Sequence, residues 1–254
     1  MYDKTETDIS RRHLEEVVKS IEDPIVVIGG WAVSLLVNEK YKENTGRDYI
    51  GSMDIDLGFH MDRPELEKTT LARVLSKLES MGFNMVGFRL QKQVNLSTGE
   101  TLAEEKAKAL AQYELFQMNV DLIVDRIPKD FKEKFGFDPI DEPLLMNVFL
   151  DPKNRVERQE FGRTVWIPQP NVLLAMKVKS LPGRTVDHKK HKDVADATSL
   201  VLFGGAKLGA LLASGLVAPE DLVKFTGAIT SKDIAEAARL IDLDESIIKA
   251  ALKL

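Results

Sequence analysis

The sequence predicts an α/β fold of the α+β kind. A small mixed β-sheet core with flanking helices is expected over residues 1–167, and a helical C-terminal half over residues 168–254. Three observations predict it. Two apolar runs, Met53-Asp54-Ile55-Asp56-Leu57 and Met118-Asn119-Val120-Asp121-Leu122-Ile123-Val124, carry isolated carboxylates at strand spacing. The stretch Pro24 to Leu36 reads as a short apolar run, a glycine pair and then a helical pattern. Beyond Pro168 the apolar residues recur at helical spacing, each segment opened by Pro, Ser or Asp.

Taken in order, residues 7–21 have helical periodicity at Leu14, Val17, Val18 and Ile21, with Asp8 or Ser10 as the cap and Asp23-Pro24 as the stop. Ile25 to Ile28 is a buried strand by its continuous apolar character. Gly29-Gly30 then opens a helix from Trp31 to Val37, with Trp31 read as core. Tyr41 to Tyr49 reads as a polar loop containing Arg47, a solvated arginine or a phosphate contact. The Asp54–Asp56 run is a strand. Arg63-Pro64 opens a helix through about Met81, closed by Gly82. Phe83 to Val94 is a strand or hairpin arm, residues 95–112 a helical insertion, and Leu115 to Val124 a strand. Leu144 to Leu150, Arg155 to Phe161 and Thr164 to Ile167 read as short meander strands. Helices follow from Pro170, from Ala206, from Pro219, from Ser231 and from Asp244 or Ser246.

Composition narrows the function classes. The chain has 254 residues, 44% hydrophobic and 30% charged, enough apolar mass for a real core. A net charge of −5 gives no global basic field of the kind that advertises nucleic-acid binding. With no cysteine there are no disulfides, thiolate metal sites or cysteine nucleophiles. Residues 1–20 are charged rather than signal-like, and no apolar run approaches the ~20 residues that span a bilayer. The expectation is a cytoplasmic protein without membrane partners.

The chemistry concentrates in the carboxylates. Alternation puts Asp54 and Asp56 on one face and Met53, Ile55 and Leu57 on the other. Two like charges this close repel unless a cation or proton lies between them, and their oxygens suit a hard ion, Mg²⁺ or Mn²⁺. Taken alone, Asp-x-Asp reads first as an edge strand with two solvated carboxylates. Asp121 shares a face with Asn119, and a charge centred in so apolar a run needs a partner. Asp125, on the opposite parity, reads as a turn or surface residue. The glycine pair, taken alone, reads first as an ordinary strand-to-helix turn; such a turn also exposes N–H groups that hold phosphate oxygens. Arg184, His188, Lys189, Lys190, His191 and Lys192 form the densest basic cluster, read either as a solvated loop or as a phosphate-holding patch.

A strand ending in Gly29-Gly30, a helix, Ser52-Met53-Asp54-Ile55-Asp56-Leu57 and a later strand with Asp121 resemble the DNA polymerase beta-like nucleotidyltransferase superfamily. Within it they resemble the abortive-infection, or type IV toxin–antitoxin, branch. The motifs within residues 25–125 carry most of this. Lys177, Arg184 and Lys192-Asp193-Val194-Ala195-Asp196 extend it to about residue 200. The Gly30-to-Asp54 interval is longer than in compact members.

The resemblance implies a nucleotidyltransferase core that moves NMP from an NTP to an acceptor hydroxyl with release of pyrophosphate. It implies Mg²⁺ or Mn²⁺ on Asp54, Asp56 and Asp121, with Asp121 sharing the nucleophile-side metal or acting as base. It implies nucleotide contacts from Gly29, Gly30, Ser52 and Lys177, with Asp193 and Asp196 completing a second motif. Asp193 and Asp196 also read as a capped helix start, and both readings stay open. The acceptor is a tRNA end, a protein hydroxyl or a small molecule, and a homo-oligomer or an antitoxin is the implied protein partner. The alternative from another class is a non-catalytic nucleotide-binding or toxin–antitoxin interaction module. A third reading makes Asp-x-Asp accidental, with Asp121 far from Asp54.

Overall fold

A computed structural model describes residues 3–22 and 24–254. In chain order the elements begin with α1 (Lys4–Ser20), β1 (Val26–Ile28), α2 (Gly29–Thr45) and β2 (Ile55–Phe59). There follow α3 (Thr70–Ser80), β3 (Asn84–Val86), β4 (Arg89–Asn95), α4 (Glu104–Lys108) and β5 (Leu115–Val124). Next come α5 (Phe131–Phe135), β6 (Ile140–Asp141), α6 (Leu145–Leu150), β7 (Arg155–Glu160) and β8 (Arg163–Pro168). The C-terminal helices are α7 (Pro170–Ser180), α8 (Asp187–Leu202), α9 (Leu208–Ala213), α10 (Pro219–Ala228), α11 (Ser231–Ile241) and α12 (Glu245–Leu252). The α/β class with a mixed sheet and a helical C-terminal half is the one the sequence predicts. The described residues fall into two compact units, 3–28 with 52–167 and 29–51 with 168–254.

The sheet unit holds one eight-stranded sheet in the order β3-β4-β5-β2-β1-β8-β7, with β6 also paired to β5. β2 runs parallel to β5 and antiparallel to β1, while β4 runs antiparallel to β5. This mixture lets strands distant in sequence lie side by side, so Asp56 is the register partner of Asp121. Ile55, Leu57, Leu90, Val94, Met118, Val120 and Leu122 are fully buried, which is the alternation expected of strands with one core face. Gly58 is the close-packed point of β2: a Cβ there would lie 2.8 Å from Leu145 Cδ2.

Several boundaries differ from the sequence reading. α1 starts earlier because the Asp3 carboxylate accepts the Thr5 N–H at 2.7 Å and caps it there. Asp8 instead pairs with Lys4 on the exposed face, and Ser10 is buried. The stop assigned to Asp23 lies outside the described residues. The stretch after Arg63-Pro64 is a 3₁₀ turn at Leu66–Lys68, then α3, because Thr69 is extended and its hydroxyl caps Ala72 N–H at 3.3 Å. The insertion at 95–112 reduces to α4, since Thr101 bridges Val94 and prolongs the sheet.

Leu144 to Leu150, expected as a strand, contains helix α6, with Leu145 and Val148 buried at i, i+3. A short apolar run does not distinguish the two periods. The β7–β8 hairpin turns through Phe161 and Gly162, both at positive φ, as a two-residue turn between twisted strands requires.

The helical unit is organised on α8, which packs against α2, α7, α11 and α12. α2 is longer than its expected Trp31–Val37 span. Tyr41, placed in a loop by its polar neighbours, is buried and donates its hydroxyl to the Ile241 carbonyl at 2.8 Å. Gly46, at φ +74°, ends the helix by donating its N–H to the Lys42 carbonyl at 2.8 Å. Trp31 is core, as expected, and lies against Gly51, where an added Cβ would come within 2.9 Å of the indole ring. α11 is capped by Thr230 rather than Ser231, with Asp233 returning to the Thr230 N–H in a capping box. Among the described residues no helix is long and apolar enough to cross a membrane.

Candidate active site

The polar face of the sheet unit is assembled by register. β4 and β5 pair Gln93 with Gln117, Gln91 with Asn119, and Arg89 with Asp121, and β2 adds Asp56 beside Asp121. Like parity on three strands therefore gathers amides at one end and carboxylates at the other. Gln117 Nε2 donates to Asn119 Oδ1 at 3.2 Å, and Asn119 Nδ2 donates to Asp54 Oδ1 at 2.9 Å. Asp54 lies one residue before β2 and is oriented by that amide. Asp121 is buried, and Ser52, just ahead of the pair, is buried as well.

Arg89 was not singled out from the sequence, yet it organises this face. Its Nη2 lies 2.5 Å from Asp121 Oδ2 and 3.8 Å from Asp54 Oδ2, and its side chain is 17% exposed. Burial, the largest influence on the guanidinium, acts to lower its pKa; the charges of Asp121, Asp54 and Asp56 together outweigh it and hold the pKa above the ordinary value. Its Nε is buried and donates to no acceptor. The signal that would have found it is the alternation of β4, where Leu90, Lys92 and Val94 are buried and Arg89 therefore faces with Gln91 and Gln93.

Asp54, Asp56 and Asp121 are thus brought to one guanidinium, and the reading that left Asp121 far from Asp54 is excluded. Hard carboxylate oxygens on a single face match the donor chemistry of Mg²⁺ or Mn²⁺. As they stand, the charge among them is supplied by Arg89. No three His, Asp or Glu side chains among the described residues are gathered as a metal-holding group.

Asp125, expected at the surface, is buried. It accepts the Met61 N–H at 3.0 Å and bonds His60 Nδ1, so it serves the β5 end rather than solvent.

In the helical unit, Gly29 opens α2 at φ +64° and Gly30 is buried in its first turn. Lys177, Arg184, Lys192, Asp193 and Asp196 are brought together as one ionic network. Lys177 Nζ donates to Asp193 and, at 2.8 Å, to Asp196; Arg184 Nε donates to Asp193 at 2.6 Å; Lys192 Nζ donates to Asp196. Tyr49 completes it by donating its hydroxyl to Asp196 at 2.8 Å.

Burial acts to lower the Lys177 pKa, but the two carboxylates outweigh it and raise the value. Burial acts to raise the Asp193 pKa, but Lys177 and Arg184 outweigh it and lower the value. For Lys192 burial prevails, helped by the charge of Lys177, and its pKa falls. Asp193 and Asp196 lie well inside α8, six or more residues past its start at Asp187, so the capped-helix reading does not hold. The basic cluster is not a mobile loop either: His191 and Lys192 are buried in α8, and Lys190 pairs with Asp233 at 2.8 Å. Arg47 is a loop arginine paired with Asp242 at 2.9 Å, both side chains exposed.

No family model matches the chain, and no curated protein matches it. Among solved structures, the crystal structure of an antigenic nucleotidyltransferase-like protein from Paracoccidioides brasiliensis is similar at a TM-score of 0.42 and 17% identity, over 99% of this chain and 93% of that one. A likeness at that level assigns neither activity nor site residues.

Proposed function

We propose that the protein is a metal-dependent nucleotidyltransferase, moving NMP from an NTP to an acceptor hydroxyl. The observation that carries this reading is the convergence of Asp54, Asp56 and Asp121 on one sheet face, with Asp56 and Asp121 in register on parallel strands. Asp54, Asp56 and Asp121 would hold Mg²⁺ or Mn²⁺. Such ions neutralise triphosphate charge and stabilise the attacking and leaving oxygens of an in-line displacement.

The chain's own contribution is positioning and proton transfer. Asn119 fixes Asp54 through the 2.9 Å amide bond to Oδ1, while the second Asp54 oxygen lies 3.8 Å from Arg89 Nη2. Asp121, held in the sheet by pairing on both sides, presents its carboxylate from a rigid strand. The acceptor oxygen attacks the α-phosphorus, its proton passes to the Asp121 carboxylate, the bond from the α-phosphorus to the bridging oxygen breaks, and pyrophosphate leaves. The acceptor class, whether tRNA, protein or small molecule, is set by the experiment below.

The purified chain is incubated with each labelled NTP, Mg²⁺ or Mn²⁺, and pools of small RNA, protein and small polyhydroxyl compounds. Asp54→Ala serves as the control. Label transferred to one pool, accompanied by pyrophosphate and absent in the variant, is expected. Transfer undiminished in Asp54→Ala would end the proposal.

One observation favours a second reading. The carboxylates are already partly neutralised by Arg89, one charge against three, as in a structural ion-pair cluster, which suits a non-catalytic nucleotide-binding or interaction module. NTP binding without pyrophosphate release in any pool is its signature.

A further inference from the structure

We infer that Arg89 is a built-in counter-cation of the carboxylate face, and that divalent binding there requires its guanidinium to be displaced. The inference rests on the proposed metal-dependent reading and concerns how that site is filled.

Two observations and one physical argument carry it. Arg89 is placed among the same three carboxylates that would hold the metal, 2.5 Å from one and 3.8 Å from another. A cation bound by Asp121 and Asp54 and a guanidinium bound by the same oxygens compete for one charge and one volume. The guanidinium is imperfectly housed, because its buried Nε has no acceptor, so its present placement is not one that every donor favours.

It also has somewhere to go. Arg89 is the first residue of β4, directly after the hairpin turn at Gly87, and its guanidinium lies 5.2 Å from the ring centre of Phe88, which is 47% exposed. A long side chain at a strand end, beside an exposed ring, can leave the carboxylates and remain partly covered. The arrangement offsets one of the three carboxylate charges before the metal arrives. It also makes metal affinity a difference between two cations rather than the full affinity of three carboxylates.

The test is a Mn²⁺ titration of the full chain at neutral pH without nucleotide, with free Mn²⁺ read by electron paramagnetic resonance. Wild type, Arg89→Gln and Arg89→Lys are compared, and thermal melts establish which variants fold. Removing one charge-assisted competitor is expected to tighten Mn²⁺ binding about tenfold or more in Arg89→Gln. Arg89→Lys, which keeps the charge but lacks the fork, falls between Arg89→Gln and wild type. It also provides a folded variant if Arg89→Gln does not fold.

A role limited to holding the sheet together would change the melts and leave Mn²⁺ affinity equal or weaker. If wild type binds Mn²⁺ and the folded variants bind it no more tightly, the Arg89 inference is overturned while the metal-site reading stands. If neither wild type nor any folded variant binds Mn²⁺, both fall together.

Discussion

Asp196→Asn is a demanding test of the helical unit because it removes one charge and almost no volume. Asp196 is fully buried and accepts from Lys177 at 2.8 Å, from Tyr49 at 2.8 Å and from Lys192. Lys177, Arg184 and Lys192 face Asp193 and Asp196, so the network carries three cations against two anions. The substitution leaves three against one. Lys192, with its side chain 3% exposed, then loses the carboxylate charge its ammonium donates to, with the ring centre of Tyr49 5.1 Å away. Removing one partner of a buried pair costs about 3–5 kcal/mol. A chain near this length shifts by roughly 2–4 °C per kcal/mol, so a fall of about 6–20 °C is expected.

The assay is thermal unfolding by circular dichroism with parallel urea unfolding, read for the transition of the helical unit, because two compact units need not melt together. The pH dependence supplies an independent check. Burial, aided by Lys177, already lowers the Lys192 pKa while Asp196 opposes that fall. Removing Asp196 lowers it further. A lysine whose folded pKa lies below its unfolded one costs stability while it is protonated, and the cost is relieved as pH rises through the folded value. The deficit of Asp196→Asn is therefore expected to shrink as pH rises from 7 toward about 10. A variant that melts within about 2 °C of wild type at pH 7, or whose deficit grows with pH, would refute the charge reasoning.

Tyr49→Phe removes a bond to a charged acceptor without changing shape, and should cost about 1.5–3 kcal/mol in urea unfolding; a change within ±0.5 kcal/mol would mean the hydroxyl bond contributes nothing net. Asp193, whose pKa is lowered despite burial, contributes stability that is present above its unfolded value and lost as pH falls through the folded one. Wild-type melting should therefore fall away below about pH 4, and the drop between pH 7 and pH 3 should be smaller in Asp193→Asn. In the sheet unit, Gly58→Ala drives a methyl to within 2.8 Å of Leu145 Cδ2 and should cost about 1–3 kcal/mol. Adding Leu145→Ala to Gly58→Ala should cost less than the two single changes summed, and strict additivity would rule out the clash.

The α/β class, strand β5 from Leu115 to Val124 and the shared face of Asp54 and Asp56 were legible without a structure. They depend on local alternation, and a two-residue period on one strand determines which side chains point together. The stop at Gly82 was legible for a local reason too: it follows its segment in a backbone geometry that other residues adopt at a cost.

What the sequence left open was decided by partners distant along the chain. α2 runs on past its apolar stretch because Tyr41 finds a carbonyl 200 residues away, and no local pattern announces that bond. α6 is a helix because a short apolar run takes whichever period its packing surface favours. Asp193, Asp196, Lys177 and Lys192 are buried together because each neutralises another across two helices. Composition gives such residues the look of a basic loop until the helices pack. Arg89 became the centre of the carboxylate face only when β4 paired with β5 in the register that sets it opposite Asp121. Alternation along a single strand determines which way a residue points, and only pairing between strands determines what it meets.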